Sequence, residues 1–214
     1  MQLRGLCIAE PIMMVTQLME YGSVVSYLQK NRNQVNEKML LIWSQQIAEG
    51  MEYLETRKIV HRDLAARNIL VKDLDHIKIA DFGLARVIQS HEHCFKAITS
   101  SLVPIKWLAI ESIRERLFTH QSDVWSYGVC LWEIFTLCQY KPYAEIKEPI
   151  LLLPNLIKGV RLAKPQMARI DTYLILLKCW LENPISRPTF KELSEEFNKM
   201  IRHPKAYLDI QVIL

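Results

Sequence analysis

Glycine is scarce in this chain, and its spacing excludes one common kind of nucleotide site. The 214 residues contain six glycines, and consecutive glycines are at least 17 positions apart. The phosphate-binding loops of mononucleotide and dinucleotide folds need several glycines within about six residues. The sequence therefore contains no such loop, and any nucleotide site in it must be built from other residues.

Three further absences narrow the class of protein. The five cysteines include no C-x-x-C pair, which argues against a disulfide framework or a structural zinc site and favours reduced, mostly buried thiols. The net charge is only +4 and lysine and arginine form no long run, so we expect no nucleic-acid partner. The longest apolar stretches are interrupted by Glu133 and Lys178 and fall short of the roughly 20 residues of a membrane span. We therefore expect membrane attachment only through a segment upstream of this sequence.

Apolar periodicity predicts a mostly helical (α+β) chain whose few strands lie in its first third. A short apolar run at 12–15, preceded by Pro11, indicates a strand. Apolar residues at steps of three and four over 40–54 predict a helix of about five turns. Residues 69–79 predict a hairpin, and residues 124–136 a helix that is apolar nearly all round and therefore buried. Further helices are expected near 146–158, 172–181 and 189–201.

Two short segments carry residues suited to phosphoryl transfer. Residues 61–68 read HRDLAARN, so Asp63 and Asn68 lie five positions apart, and Asp81 opens a D-F-G segment 18 residues after Asp63. These segments match the H-R-D-L-x-x-x-N and D-F-G signatures of protein kinases. One carboxylate must orient the substrate hydroxyl, while a second carboxylate and an amide oxygen hold Mg²⁺, which prefers oxygen ligands. An isolated Asp–Asn pair would more simply be a capped turn, but the matched spacing of both segments favours a kinase site.

Other segments extend this match over most of the sequence. The segments AAR at 65–67 and VPIKW at 103–107 are typical of tyrosine kinases. The segments TQLM at 16–19 and HQSDVWSYG at 120–128 are nearer to one group among them. Over nearly all of residues 3–211, the chain resembles the catalytic domain of tyrosine kinases, and within them the EGF-receptor (ErbB) group. The resemblance places AAR in the catalytic loop and VPIKW in the loop that binds the protein substrate.

The resemblance implies a protein-kinase-like fold that is only partly contained in this sequence. Residues 1–22 would be the end of the small N-lobe and the hinge, and residues 23–214 the large C-lobe. The glycine-rich loop, the ATP-binding lysine and the helix glutamate that pairs with it would lie upstream. We therefore expect this segment alone to be inactive.

The resemblance also implies which residues carry the chemistry, with ATP and Mg²⁺ as cofactors. Asp63 would be the catalytic aspartate, and Arg67 would lie beside the substrate tyrosine. Asn68 and Asp81 would be the Mg²⁺ ligands. All of these residues are intact, which favours a lineage that still performs catalysis.

The ATP-binding residues follow from the same resemblance. Thr16 would occupy the gatekeeper position, and the backbone of Gln17 and Met19 would face the adenine edge. Leu70 would form the floor of the adenine pocket. For Met19 and Leu70, plain packing in the core is the alternative interpretation.

Two further residues are implied to support the site, and one pair to stabilise the lobe. Arg62 would order the loop around Asp63, and Asp123 would anchor that loop from the buried helix. Glu111 would pair with Arg187, a structural role that an ordinary ion pair would also fill.

The function implied by the resemblance is that of a receptor protein-tyrosine kinase. The complete protein would transfer the ATP γ-phosphate to tyrosine hydroxyls of protein substrates and would pair with a second kinase domain of the same family. The segment given by this sequence would lie on the cytoplasmic side of the plasma membrane as part of a single-pass receptor. Two alternatives stay open: a pseudokinase or truncated product that acts as an allosteric binding module, and a non-receptor tyrosine kinase of the cytosol.

Activation of such a kinase would have to proceed without one familiar switch. No tyrosine occurs between residues 54 and 126, and Phe95 lies near the place where relatives carry one. Phosphorylation orders such loops by pairing a new charge with arginine, so that route through tyrosine is closed. The resemblance to the EGF-receptor group implies another route, in which the large lobe of one kinase docks on the small lobe of a neighbour. For such docking the last helix offers an apolar stripe. The stripe either packs on its own lobe or exposes its C-terminal end for docking; it comprises Leu193, Phe197, Met200 and Ile201.

Overall fold

The computed structural model describes residues 3–88, 94–96 and 104–213. Helices dominate this part of the chain, and the strands are short, as the sequence predicts. None of its helices combines the length and apolar composition needed to cross a membrane. The strands are β1 (Leu3–Cys7), β2 (Met13–Thr16), β3 (Ile59–Val60), β4 (Ile69–Asp73), β5 (His76–Ile79), β6 (Arg86–Val87), β7 (Phe95–Lys96) and β8 (Leu117–Phe118). The helices are α1 (Val24–Lys30), α2 (Glu37–Thr56), α3 (Ile110–Glu115), α4 (His120–Phe135), α5 (Leu152–Ile157), α6 (Ile170–Cys179) and α7 (Phe190–Met200).

The described strands form separate antiparallel pairs: β1 with β2, β3 with β6, β4 with β5, and β7 with β8. The β1–β2 hairpin is unusual because apolar side chains on both of its strands are exposed, among them Leu6, Met13 and Met14. A two-stranded ribbon without a covered face is only marginally stable in water. At its exit the chain docks on β4, where the Val71 N–H donates to the carbonyl of Gly22 over 2.8 Å.

A capping side chain precedes the long helix α2, and a left-handed residue follows its end. The side chain of Asn36 caps its first turn by accepting from the Met39 N–H at 2.9 Å. The apolar face predicted for 40–54 is buried throughout, and the helix runs for 20 residues. Just beyond its C-terminus, Lys58 adopts a left-handed conformation with φ of 56°. The predicted five-turn helix is therefore confirmed.

Helix α4 forms the centre of the lobe. It begins at His120, earlier than predicted, because Thr119 and Ser122 form a reciprocal capping box. Every residue from Ser122 to Phe135 is buried, which confirms the prediction of a helix covered on all sides. Gly128 permits the close approach of α6, since a Cβ at that position would lie 2.6 Å from Nε1 of Trp180.

The C-terminal third departs from the sequence prediction in two respects. The helix expected over 146–158 is only α5, preceded by a 3₁₀ turn at Pro149–Leu151, because the residue before a proline disfavours helical backbone. Of the two interpretations of the α7 stripe, packing on its own lobe is confirmed and docking through an exposed end is wrong, since Leu193, Phe197 and Met200 are buried in the lobe core and Ile201 is half-buried. The rings of Phe190 and Phe197 pack edge-on against Tyr127 of α4.

The cysteines behave as a set of free thiols. All five are unpaired; Cys130 and Cys179 are buried, and the other three are half-buried. Burial raises the pKa of Cys179 to about 12. The prediction of reduced thiols agrees with this arrangement, although fewer of them are fully buried than expected.

Candidate active site

The HRD loop between β3 and β4 is suspended from the buried helix α4. The Asp123 carboxylate accepts the His61 N–H at 2.7 Å and the Arg62 N–H at 2.9 Å. Arg62 is held with φ of 71°, a conformation that costs a non-glycine residue free energy. Complete burial raises the pKa of Asp123 to about 7, although the two backbone donors act in the opposite direction. The predicted anchoring role of Asp123 is confirmed.

Asp63 lies at the end of this loop with donors on both of its carboxylate oxygens. The Asn68 side-chain amide donates to Oδ2 of Asp63 at 2.8 Å and to its backbone carbonyl at 2.7 Å. The guanidinium of Arg67 contacts Oδ1. The Asp63 side chain keeps 12% of its surface exposed. The turn at 66–68 therefore presents a fixed and reachable carboxylate.

The structure brings the two predicted metal ligands together through the backbone. The Ala80 N–H donates to the carbonyl of Asn68 at 2.8 Å, and Asp81 is the residue after Ala80. This bond therefore holds the backbones of the two segments side by side. Asp81 is exposed, has φ of 62°, and accepts from the Gly83 N–H at 3.3 Å. No cluster of three or more His, Cys, Asp or Glu side chains suited to a metal occurs within the described residues. A metal here would need further ligands from its substrate.

His61 connects the HRD and DFG segments. Its Nε2 lies 3.2 Å from the Ala80 carbonyl, and its ring packs against Phe82 with centroids 5.2 Å apart. Burial lowers the pKa of His61, because the charged imidazolium would lose its hydration. The neutral ring therefore serves as a buried link between the two segments.

The predicted adenine-binding residues lie along one stretch that packs on β4. Thr16 ends β2, Gln17 follows it, and both side chains are half-buried. Met19 is buried, and its carbonyl accepts from the Gly22 N–H at 3.0 Å. Ser23 forms an isolated β-bridge with Leu70. The stretch 16–23 and Leu70 are thus neighbours, while their contacts with adenine stay a prediction.

Glu111 and Arg187 form a buried, bidentate ion pair, which confirms that prediction. The two guanidinium nitrogens lie 2.6 and 2.9 Å from the two carboxylate oxygens. Arg187 also donates to the carbonyls of Leu181 and Gln121 at 2.8 and 2.9 Å. The pair fastens the start of α3 to the segment before α7, and both of its charges are well supplied with partners.

Arg62 is covered by two aromatic rings. Its guanidinium carbon lies 4.7 Å from the ring centroid of Phe95 and 4.3 Å from that of Phe118, within the range of cation–π attraction. Its Nη1 donates to the Leu84 carbonyl at 3.2 Å. Phe95 thus packs on the HRD arginine, near the place where the resemblance implies a tyrosine in relatives. Val103 of the predicted VPIKW segment lies outside the described residues.

Sequence reasoning gave no role to one polar side chain of the site. Glu133 of α4 accepts from the Ala66 N–H at 3.0 Å and from Nε1 of Trp107 at 2.9 Å, both through Oε2. Arg67 stacks over the Trp107 ring with 4.7 Å between its guanidinium carbon and the centroid. The available signal was a carboxylate that interrupts an otherwise apolar helix, since a buried charge needs a partner.

Comparison with known proteins agrees with this geometry. The family model of protein tyrosine and serine/threonine kinases matches residues 1–197. Receptor tyrosine-protein kinase erbB-4 of Homo sapiens is 49% identical over 211 residues, which are 98% of this chain and 16% of that protein. The melanoma receptor tyrosine-protein kinase of Xiphophorus maculatus is 48% identical over 212 residues (98% and 18%), and erbB-2 of Mesocricetus auratus is 48% identical over 211 residues (98% and 16%). The chain spans only about a sixth of the length of these relatives. The chain belongs to the protein tyrosine and serine/threonine kinase family, and its resemblance to a segment of the EGF-receptor (ErbB) group of receptor tyrosine kinases is confirmed.

Proposed function

We propose that the chain is the greater part of the catalytic domain of a receptor protein-tyrosine kinase. In the complete protein it would transfer the γ-phosphoryl group of ATP to tyrosine hydroxyls of protein substrates. The observation that carries this proposal is the link between the two segments: the Asn68 amide donates to the Asp63 carboxylate, and the Asn68 carbonyl accepts from the N–H of Ala80, the residue before Asp81. The relatives named above are receptor tyrosine kinases by name, which supports the same reaction class.

The division into lobes is part of this proposal. Residues 1–22 would end the N-lobe and form the hinge, and residues 23–214 would form the C-lobe. The exposed apolar side chains of the β1–β2 hairpin support this division, because further strands of an N-lobe would cover them. Without that lobe, the phosphates of ATP lack most of their positioning groups, and we expect the 214-residue chain alone to be inactive.

The residues present fit an Mg²⁺–ATP complex. Asn68 commits its amide nitrogen to Asp63, which leaves its amide oxygen as a metal ligand, and Asp81 offers an exposed carboxylate. Magnesium typically binds through one or two carboxylates together with substrate phosphates, so a dedicated cage is not needed. When bound, the metal and ATP supply charge neutralisation and the phosphoryl group. Thr16, Gln17, Met19 and Leu70 would enclose the adenine.

The chain's own residues then orient the acceptor. Asp63 would accept a hydrogen bond from the substrate tyrosine hydroxyl and take its proton as the phosphorus–oxygen bond forms. Asn68 fixes the carboxylate plane from one side. Arg67 holds the other oxygen and would lie beside the substrate ring. Asp123 fixes the backbone of the loop through His61 and Arg62.

A second kinase domain of the same family is the proposed partner, but through a different helix from the one that sequence periodicity indicated. Helix α6 exposes Ile170 and Leu174, 61% and 46% exposed, and Leu181 beyond its end is 40% exposed. These side chains, unlike the α7 stripe, can contact another protein. This segment would lie on the cytoplasmic side of the plasma membrane, as part of a single-pass receptor.

The test uses the complete protein and one conservative substitution. Asp63→Asn should reduce phosphorylation of a Glu/Tyr copolymer by about 10²–10⁴-fold while leaving ATP affinity unchanged, since it removes only the proton acceptor. Asp75→Asn, on the exposed turn between β4 and β5, is the matched control and should keep full activity. A complete protein that phosphorylates nothing, or an Asp63→Asn variant as active as the control, would refute the proposal.

A further inference from the structure

Glu133 is a buried carboxylate in the middle of the apolar helix α4, and its side chain points out of the lobe core toward the candidate active site. Only 8% of the residue is exposed. One of its oxygens accepts two hydrogen bonds, from the Ala66 N–H at 3.0 Å and from the Trp107 Nε1–H at 2.9 Å. A buried carboxylate is costly unless it is paired, so these two donors explain why the position tolerates a charge.

The two donors belong to two different segments of the site. Ala66 begins the turn that carries Arg67 and Asn68, and Trp107 ends the 3₁₀ turn Ile105–Trp107. Neither segment is bonded to the other through its backbone in the part of the chain that the structure describes. A single carboxylate oxygen therefore joins the catalytic turn to the segment that the resemblance assigns to the protein substrate.

The side chain of Arg67 extends from the catalytic turn, to which it belongs, to the Trp107 segment. Its guanidinium stacks on the Trp107 ring at 4.7 Å and contacts the Asp63 carboxylate. The Arg67 side chain is 38% exposed, so without the ring beneath it a flexible side chain could leave Asp63. The hydrogen bond from Trp107 to Glu133 fixes the plane of that ring. Burial raises the pKa of Glu133, whereas its two hydrogen bonds and the Arg67 charge favour the ionised form.

We propose that Glu133 is a positioning residue for phosphoryl transfer, which acts by holding the Trp107 ring and the Ala66 turn so that Arg67 stays against Asp63. This inference rests on the proposed kinase function. Among the described residues the Glu133 side chain makes no hydrogen bond to Asn68 or Asp81, and it is bonded to Trp107, so its effect should fall on the protein substrate rather than on ATP.

The test compares variants of the complete protein with a Glu/Tyr copolymer as substrate. Glu133→Ala removes two hydrogen bonds to a charged acceptor and should lower kcat/KM for the copolymer by about 10–100-fold, with KM for ATP unchanged. Glu133→Gln keeps an oxygen that can accept from the same donors and should recover most of this loss. Trp107→Phe keeps a smaller aromatic ring under Arg67 but removes the indole N–H, and should give part of the loss. Combined with Glu133→Ala, it should add less than its separate effect.

Glu37 provides the matched control for a merely structural role. It is also a buried carboxylate, on α2, and it accepts the Ile210 N–H at 3.3 Å far from the Asp63 loop. Glu37→Ala should lower the unfolding midpoint without changing either KM. Equal effects of Glu133→Ala and Glu37→Ala on kcat/KM for the copolymer would overturn the positioning role, as would a well-folded Glu133→Gln variant no better than Glu133→Ala.

A second readout separates this inference from the proposed function. Amide hydrogen exchange at Ala66 in the complete protein should accelerate in Glu133→Ala and stay unchanged in Glu37→Ala. If the unaltered protein phosphorylates nothing but this exchange pattern appears, the kinase proposal fails while the link itself stands. If the kinase is active but exchange at Ala66 is indifferent to Glu133, the link is refuted.

Discussion

The Glu111–Arg187 ion pair permits a sharp test of how this lobe is stabilised. Replacing Glu111 with alanine leaves the Arg187 guanidinium buried, with its side chain fully inaccessible. Loss of one partner of a buried pair typically costs about 3–5 kcal/mol. Arg187 retains carbonyl acceptors on Leu181, Gln121 and Glu182, so we expect a loss of about 3 kcal/mol, at the low end of that range.

Urea unfolding of the purified chain measures this loss directly. The Trp125 ring lies 5.1 Å from the Arg187 guanidinium carbon and reports on the site by its fluorescence. With a slope of about 2–3 kcal/mol per molar urea, Glu111→Ala should lower the midpoint by about 1 M. Glu111→Gln preserves the shape of the side chain and one acceptor oxygen. Its urea midpoint should therefore lie between those of the unaltered chain and of Glu111→Ala.

The exposed pair Arg169–Asp209 supplies the comparison. Its atoms lie 2.9 Å apart, but the two side chains are 53% and 31% exposed. Surface ion pairs contribute about 0–1 kcal/mol, so Asp209→Asn should scarcely change the midpoint. If Glu111→Ala shifts the midpoint no further than Asp209→Asn, the argument from burial is refuted.

Three more predictions concern pH, backbone strain and thiol reactivity. The pKa of folded Asp123, about 7, lies above its ordinary value of 3.8, so the folded state holds a proton that the unfolded chain has lost, and stability falls as pH rises through this interval. In Asp123→Asn this fall in the unfolding free energy should be smaller by up to about 4 kcal/mol. If the urea midpoints of the unaltered chain and of Asp123→Asn change equally from pH 4 to 8, the assignment to Asp123 is contradicted. Lys58→Gly should raise the unfolding free energy by up to about 1 kcal/mol because glycine tolerates the left-handed backbone, whereas Lys58→Ala should not; equal urea midpoints for the two would exclude strain there. Cys130 and Cys179 should react with a disulfide reagent only as the chain unfolds, because burial raises the pKa of both thiols; rapid labelling in native buffer would disprove their burial.

The sequence predicted local elements well where a single helix or turn decides the outcome. The faces of α2 and α4 follow from apolar spacing, and the β4–β5 hairpin follows from two short apolar runs around polar residues. The proximity of Asp63 and Asn68 follows from one turn of five residues. Proline shortened the predicted helix at 146–158, a local effect that the apolar pattern alone does not report.

Partners across the fold were not predictable in the same way. Apolar spacing identified a stripe on α7, but it does not say what covers a stripe, and α2 and α4 bury this one. Exposed apolar side chains lie elsewhere, among them Ile170 and Leu174 on α6, whose sequence looks more apolar overall. Amphipathic periodicity reports that one face avoids water, and only packing decides whether its own lobe or another protein meets it.

The amino-acid sequence by itself determined the kinase family, the catalytic turn and the helices α2 and α4, because each depends on residue types at fixed short spacing. Only the tertiary structure decided that Glu133, 67 positions from Ala66, joins that turn to Trp107, and that Phe95 and Phe118 enclose Arg62. Hydrogen bonds and ring contacts act over a few ångströms in space whatever the separation along the chain. The Glu133 hydrogen bonds exist because α4 passes beneath the catalytic loop, and the ring contacts exist because β7 and β8 pair Phe95 with Phe118 beside Arg62. Short-range sequence patterns carry no record of either approach.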